Sequence, residues 1–92
     1  MKIAVVGATG LVGREMLAVL AERSFAKEEI IAAASAKSVG KEIDFADRRL
    51  TVQSVDDAIA AHPQYALFSA GAAASRQYAP LFAAVGTTVI DN

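Results

Sequence analysis

Three glycines, spaced three residues apart, could bind a phosphate group near the start of the sequence. They belong to the run GATGLVG at residues 7–13, which follows a short β-branched run and precedes an amphipathic stretch. Gly7 would allow a tight exit from a strand, and Gly10 would let a pyrophosphate approach the backbone closely. Gly13 would let a helix lie against that strand. In this context the run predicts a dinucleotide site, and the alternative is a structural turn without a ligand.

Main-chain amides at the start of the predicted helix would supply most of the phosphate contacts. Amides near residues 10–12 would point at the ligand from the positive end of the helix dipole, and the Thr9 hydroxyl would add a donor. The residues predicted to bind the cofactor at this turn are Gly7, Thr9, Gly10, Leu11, Val12 and Gly13.

A loop that follows the second apolar run indicates which dinucleotide is bound. Domains that bind NAD carry Asp or Glu about 20 residues past the glycine turn, where it holds the ribose 2′-hydroxyl. Here that run ends at Ser35, and no carboxylate occurs until Glu42. Ser35, Lys37 and Ser38 would instead offer hydroxyls and one positive charge to a 2′-phosphate. The pattern favours NADP over NAD, and the alternative is an ordinary solvated loop.

Two later strand ends carry weaker signals. The small residues of Ser69-Ala70-Gly71 would leave room for a cofactor ring, or Gly71 would simply relieve strain where the strand turns into a helix. Asp91-Asn92 would end the fourth strand on the same edge of the sheet. This last pair would face the nicotinamide side or be frayed and solvated, and we expect the latter for the isolated chain.

Composition excludes several classes of protein. With 54% hydrophobic residues among 92, the chain is not a disordered tail, and a net charge of −1 gives no field to attract nucleic acid or an anionic membrane. No apolar run is long enough to span a bilayer, so a cytoplasmic globular protein is expected. No cysteine is present, and the one histidine, His62, falls at the wrong edge of the predicted sheet. We therefore predict no catalytic and no metal-binding residue.

The elements that must position these residues alternate between strand and helix, which predicts a parallel sheet with right-handed crossovers. Strands are predicted at 2–6, 30–35, 65–69 and 87–90, and helices at 14–23, 55–61 and 72–85. A small edge hairpin is predicted at residues 43–52, with Arg48 and Arg49 in its solvated tip. Ser75 is predicted to be an internal cap of the last helix. The predicted fold class is α/β, Rossmann-like and doubly wound, with a mainly parallel sheet that is truncated after its fourth core strand.

Four segments in this order resemble the amino-terminal part of aspartate-semialdehyde dehydrogenase. They lie at residues 1–13, 34–40, 66–71 and 89–92. The resemblance implies NADP-dependent reductive dephosphorylation of aspartyl phosphate to aspartate semialdehyde, on the pathway to lysine, threonine and methionine, by cytoplasmic homo-oligomers. It also implies that residues 9–12 hold the pyrophosphate, that Ser35, Lys37 and Ser38 hold the 2′-phosphate, and that Gly71 lies against the cofactor.

The sequence departs from the family pattern in two respects. The family often has a further glycine after Gly71, where this chain has Ala72. The family also uses a cysteine nucleophile and a histidine acid/base that lie beyond the matched region, and His62 does not correspond to that histidine. Residues 1–92 are therefore expected to be one NADP-binding domain, a fragment that lacks the catalytic and dimer-forming domain and is inactive alone. The alternatives are a non-catalytic dinucleotide-binding or interaction module, an acetylglutamyl-phosphate reductase, or an atypical short-chain dehydrogenase.

Overall fold

The structure, a computed structural model, describes residues 1–69 and 71–91 of the chain. Its strands are β1 (Lys2–Val6), β2 (Glu29–Ala34), β3 (Glu42–Phe45), β4 (Arg48–Thr51), β5 (Gln53–Ser54), β6 (Tyr65–Phe68) and β7 (Thr88–Asp91). Its helices are α1 (Leu11–Glu22), α2 (Val55–Ala60) and α3 (Ala72–Ala84), with a short 3-10 helix at Ala36–Ser38. Five strands form a parallel sheet in the order β5-β2-β1-β6-β7, and β3 pairs with β4 in a separate antiparallel sheet.

Strand β1 occupies the middle of the sheet because its residues are apolar on both faces. Ile3 and Val5 pack in the core that contains α1, whereas Ala4 and Val6 pack in the core that contains α2 and α3. All four are buried, and β1 pairs in parallel with β2 on one side and with β6 on the other. Helices therefore cover both faces, which confirms the predicted doubly wound α/β fold.

Helix α3 secures the second core although Pro80 lies inside it. Its Phe82 is fully buried and meets Phe68 of β6 edge to face, with ring centroids 5.7 Å apart. Gly86 follows the helix with φ +88°, a conformation that glycine adopts without strain. No helix among residues 1–69 and 71–91 is long and apolar enough to cross a membrane.

The hairpin differs from the prediction in its turn and in its place. The turn is formed by residues 46–47, so both arginines that were expected at the tip belong to β4. The guanidinium of Arg48 lies over the ring of Phe45, 5.2 Å from its centroid, and donates to the carbonyls of Ala26 and Glu28. Arg48 thus ties the hairpin to the segment before β2, a contact between distant residues that local sequence does not predict.

Strand β5 is absent from the sequence-based prediction because its two residues are too few to show alternation. It pairs in parallel with the end of β2, where Ala33 faces Gln53 and Ala34 faces Ser54. Ser54 then caps α2 by accepting a hydrogen bond of 3.1 Å from the amide of Asp57. The strand brings the start of α2 to the carboxyl end of β2, next to the candidate site.

Candidate functional site

The glycine turn is held by hydrogen bonds to the neighbouring strand and to itself. The amides of Gly7 and Ala8 both donate to the carbonyl of Ala33 in β2, at 2.8 and 3.1 Å. The amide of Gly10 donates to the carbonyl of Gly7 at 3.1 Å. Contrary to the prediction from the sequence, this amide is therefore not available to a ligand. Gly7 has φ +88°, which favours glycine at the point where the chain leaves β1.

Helix α1 begins immediately after this turn with its first amides open. Gly10 is its N-cap residue, and no side chain in the described ranges 1–69 and 71–91 caps it. The first bond of the helix runs from the Arg14 amide to the Gly10 carbonyl, so the amides of Leu11, Val12 and Gly13 have no acceptor within the helix. Leu11 is 78% exposed and Val12 41% exposed, so this helix end is accessible. It is suited to bind an anion.

Gly13 has the packing role that its spacing predicts. A Cβ at this position would lie 2.1 Å from the Gly7 carbonyl oxygen and 2.8 Å from the Ala8 Cα. Both atoms belong to the backbone, so no side-chain movement could make room. Absence of a Cβ at Gly13 is therefore required for α1 to lie this close to the turn, as in dinucleotide-binding βα units.

The second loop places its three predicted residues differently. Ser35 is exposed and precedes the 3-10 helix, and Lys37 is also exposed. Ser38 is buried, and its hydroxyl oxygen lies 3.3 Å from the Thr9 hydroxyl oxygen. None of the ion pairs within the described residues involves Lys37. The structure thus joins the two predicted phosphate loops through Thr9 and Ser38.

A cleft of about 660 Å³ opens at the carboxyl ends of β1 and β2. Ser35, Ala36 and Val39 line it on the loop side, and Asp56 and Tyr78 line it from α2 and α3. Sequence reasoning missed Asp56, because its carboxylate comes to this cleft only through the placement of β5. No local signal marks it, since two acidic residues in a first helical turn are fully explained by the helix dipole.

A smaller cleft of about 220 Å³ lies on the other side of β1, lined by Val12, Ser69, Gly71 and Asp91 among others. Gly71 has φ +94° and is the N-cap residue of α3, where an added Cβ would have nothing within 4 Å. Gly7 at the start of the glycine turn lines the larger cleft, and Val12 in the first turn of α1 lines the smaller one, so the turn and the helix start connect the two clefts.

The predictions for Asp91 and Ser75 differ from the structure. Asp91 is exposed, as expected, but it is part of β7 and pairs with Phe68, so it is not frayed, and its carboxylate accepts a hydrogen bond from the Ser75 hydroxyl. Ser75 is buried and does not cap α3. The predictions for Ala70 and Asn92 lie outside the described residues.

His62 is exposed just before β6, at the amino edge of the sheet and away from both clefts. Within residues 1–69 and 71–91, no three His, Asp or Glu side chains are grouped so that they could hold a metal ion. The arrangement offers anion binding at the start of α1 and two clefts beside it.

These residues fit a dinucleotide. A Cβ at Gly10 would have one neighbour within 4 Å, the Gly7 carbonyl oxygen at 3.5 Å, so the absence of a side chain leaves the backbone open there. A diphosphate at the α1 N-terminus would extend one nucleoside toward each cleft. The fold and the site define the class of doubly wound, dinucleotide-binding domains.

Comparison with known proteins narrows this class to one family. The chain belongs to the family described as the NAD binding domain of semialdehyde dehydrogenase, whose model matches residues 2–92. Aspartate-semialdehyde dehydrogenases of Corynebacterium glutamicum and Legionella pneumophila are 47% and 44% identical to it. The matches cover 98% and 100% of this chain but 27% and 26% of those proteins. The resemblance inferred from the sequence motifs is confirmed, and the chain spans roughly a quarter of the length of these relatives.

Solved structures agree with this assignment. Aspartate semialdehyde dehydrogenase II complexed with ASA from Vibrio cholerae matches with a TM-score of 0.91 at 43% identity, over 99% of this chain and 30% of that one. Aspartate semialdehyde dehydrogenase with NADP from Candida albicans matches with a TM-score of 0.78 over 99% of this chain and 29% of that one. At 20% identity, the second match shows the fold alone.

Proposed function

We propose that this chain is the cofactor-binding part of an aspartate-semialdehyde dehydrogenase and that its cofactor is NADP. The observation that carries the proposal is the uncapped N-terminus of α1 between two clefts, with Gly10 giving close access to the backbone. The amides of Leu11 and Val12, together with the Thr9 hydroxyl, bind the pyrophosphate. Ser35, which lines the larger cleft, and Lys37, exposed two residues further along the same loop, bind the 2′-phosphate, and Gly71 borders the nicotinamide side.

Ser38 has a different place in this proposal from its two neighbours. Because it is buried, its hydroxyl acts from beneath the loop, through its contact with Thr9, rather than from an open surface. It would bind the phosphate only on the side that faces the glycine turn.

The bound dinucleotide supplies the hydride that is transferred in the reaction. Within a full-length enzyme we propose the reaction implied by the family, reductive dephosphorylation of aspartyl phosphate in the biosynthesis of lysine, threonine and methionine, in the cytoplasm. The 92 residues contain no cysteine, so the nucleophile of that reaction must come from another part of the protein. Residues 1–92 thus bind and orient the cofactor, and we expect no turnover from them alone.

Replacement of Gly10 by alanine tests the pyrophosphate site. We expect NADP to bind about tenfold more weakly, because one methyl group on the open backbone keeps the pyrophosphate from the α1 amides and costs about 1.4 kcal/mol. Isothermal titration calorimetry of the 92-residue chain with NADP measures the effect. Wild-type chain that fails to bind NADP at millimolar concentration would refute the proposed function, and unchanged affinity in Gly10→Ala would refute the role of this turn.

We also propose that the 92-residue chain by itself self-associates through the face of β6 and β7 that residues 1–69 and 71–91 leave uncovered. On the side of the sheet that carries α1, a groove of about 220 Å³ runs along these strands, and Tyr65 and Ile90 on it are 38% and 49% exposed. Strand β7 is also an edge of the sheet, where a second copy of the chain could add its own strand.

Light scattering over a concentration series tests this association. We expect the mass to rise above 9.6 kDa with concentration, and the variant Ile90→Lys to stay monomeric because a charge on an edge strand opposes pairing. A mass of 9.6 kDa for the wild type at every concentration would contradict it.

A further inference from the structure

Ser69 makes an unusual set of contacts directly after β6. Its amide donates to the carbonyl of Val6 at 2.9 Å. Its hydroxyl oxygen lies 3.0 Å from the Val6 carbonyl oxygen and 3.1 Å from the Gly7 carbonyl oxygen, close enough to share its one hydrogen between them. Ser69 therefore connects the end of β6 to the residues where the chain leaves β1.

The Gly7 carbonyl is the group on which the geometry of the turn depends. It accepts the hydrogen bond from the Gly10 amide, and it is the atom nearest to a Cβ built at Gly13. Gly7 lacks a side chain that would restrict its backbone, so the orientation of its peptide depends on hydrogen bonds, and the bonds from outside the turn add to the one from the Gly10 amide. The amide side of Gly7 is fixed by Ala33 of β2, and the carbonyl side is fixed by Ser69.

We propose that Ser69 is a positioning residue for the pyrophosphate site. By holding the Gly7 carbonyl, its hydroxyl sets the place of Gly10 and hence the direction of the open α1 amides. This inference rests on the proposed function, because it concerns the same dinucleotide site. Ser69 lies outside the glycine motif of residues 7–13. Through its hydroxyl, β6 as well as β2 determines the shape of the turn.

The test compares three ligands that contain different parts of the dinucleotide. NADP and 2′-phospho-ADP-ribose both contain the pyrophosphate, and adenosine 2′-monophosphate does not. In Ser69→Ala we expect the first two to bind about fivefold more weakly, the factor given by loss of one ordinary hydrogen bond. Adenosine 2′-monophosphate should bind as it does to the wild type. Ser69→Thr, which keeps the hydroxyl, should restore the affinity for the first two ligands.

Thr87→Val is the matched control for a general loss of stability. Thr87 is buried, and its hydroxyl donates to the Pro63 carbonyl at 2.6 Å, at the amino edge of the sheet. We expect this variant to lose stability but to bind NADP like the wild type. If Ser69→Ala does not fold, Ser69→Cys replaces it, since a thiol is a weak donor of similar size.

Three results would overturn the inference. Equal affinity of wild type and Ser69→Ala for all three ligands would show that the hydroxyl does not position the turn. An equal loss for adenosine 2′-monophosphate would show a general effect on the fold, and a loss confined to NADP would show direct contact with the nicotinamide half. Failure of the wild type itself to bind NADP would instead refute the proposed function, so the two failures are distinguishable.

Discussion

Replacing Gly13 with alanine is expected to destabilise this domain much more than the same replacement at Gly10 of the same turn. The new Cβ would lie 2.1 Å from the Gly7 oxygen, 2.9 Å from the Gly7 carbonyl carbon and 2.8 Å from the Ala8 Cα. All three atoms are backbone atoms of the turn, so α1 must move away from β1. We expect a loss of about 3 kcal/mol or more in the free energy of unfolding, at the upper end of overpacking effects. Urea denaturation measures it as a lower midpoint.

Gly10→Ala is the control for this prediction because it adds the same methyl group three residues earlier. Apart from the two residues next to Gly10 in the chain, the nearest atom to the new Cβ would be the Gly7 carbonyl oxygen, 3.5 Å away, which is an ordinary contact, and φ at Gly10 is −75°. Its free energy of unfolding should stay within about 1 kcal/mol of the wild type, although its affinity for NADP falls. Similar unfolding midpoints for Gly13→Ala and Gly10→Ala would contradict the assigned roles of the two glycines.

The sequence predicts those parts of the fold that depend on local patterns. The apolar run at Lys2–Val6 indicates a strand buried on both faces, and the structure buries Ile3 to Val6. The glycine spacing predicts the turn and the start of α1 to within a few residues. Both signals are local, because strand burial follows from apolar run length and the turn follows from residues with no Cβ.

The sequence does not predict the features that arise when distant segments meet. Asp56 reaches the larger cleft because of the short strand β5, and Asp91 is held by Ser75 from another element. The bonds of Ser69 to two carbonyls of β1 and its turn span more than 60 residues of sequence. Each depends on the order of the strands in the sheet, which local sequence patterns do not give.

The negative charge of Asp56 changes the electrostatic argument about the cofactor. The sequence alone suggests a loop without carboxylates, which favours a 2′-phosphate. The structure adds a carboxylate from α2 to the lining of the same cleft. Selectivity for NADP then depends on a cation that outweighs the negative charge of Asp56. Lys37 is the candidate, because it directly follows Ser35 and Ala36, two loop residues that line the cleft.

Reversal of the charge at Lys37 should therefore change cofactor preference strongly. In Lys37→Glu we expect NADP to bind about 50-fold more weakly, because the variant loses a charge-assisted hydrogen bond and places a carboxylate beside a 2′-phosphate. NAD carries no 2′-phosphate, so its affinity should stay within about threefold of the wild type. Calorimetric titration with both dinucleotides at physiological ionic strength measures the ratio of the two dissociation constants.

Lys41→Glu separates the local role of Lys37 from a change in net charge. Lys41 is exposed like Lys37 and follows it by four residues, and the substitution changes the charge of the chain by the same amount. Lys41 is not part of the proposed 2′-phosphate site, so screening by salt should limit the loss of NADP affinity in Lys41→Glu to about threefold. If Lys41→Glu weakened NADP as much as Lys37→Glu, overall charge would explain the effect. If Lys37→Glu kept the preference for NADP, the loop would not bind the 2′-phosphate, and another group facing the cleft would have to offset the charge of Asp56.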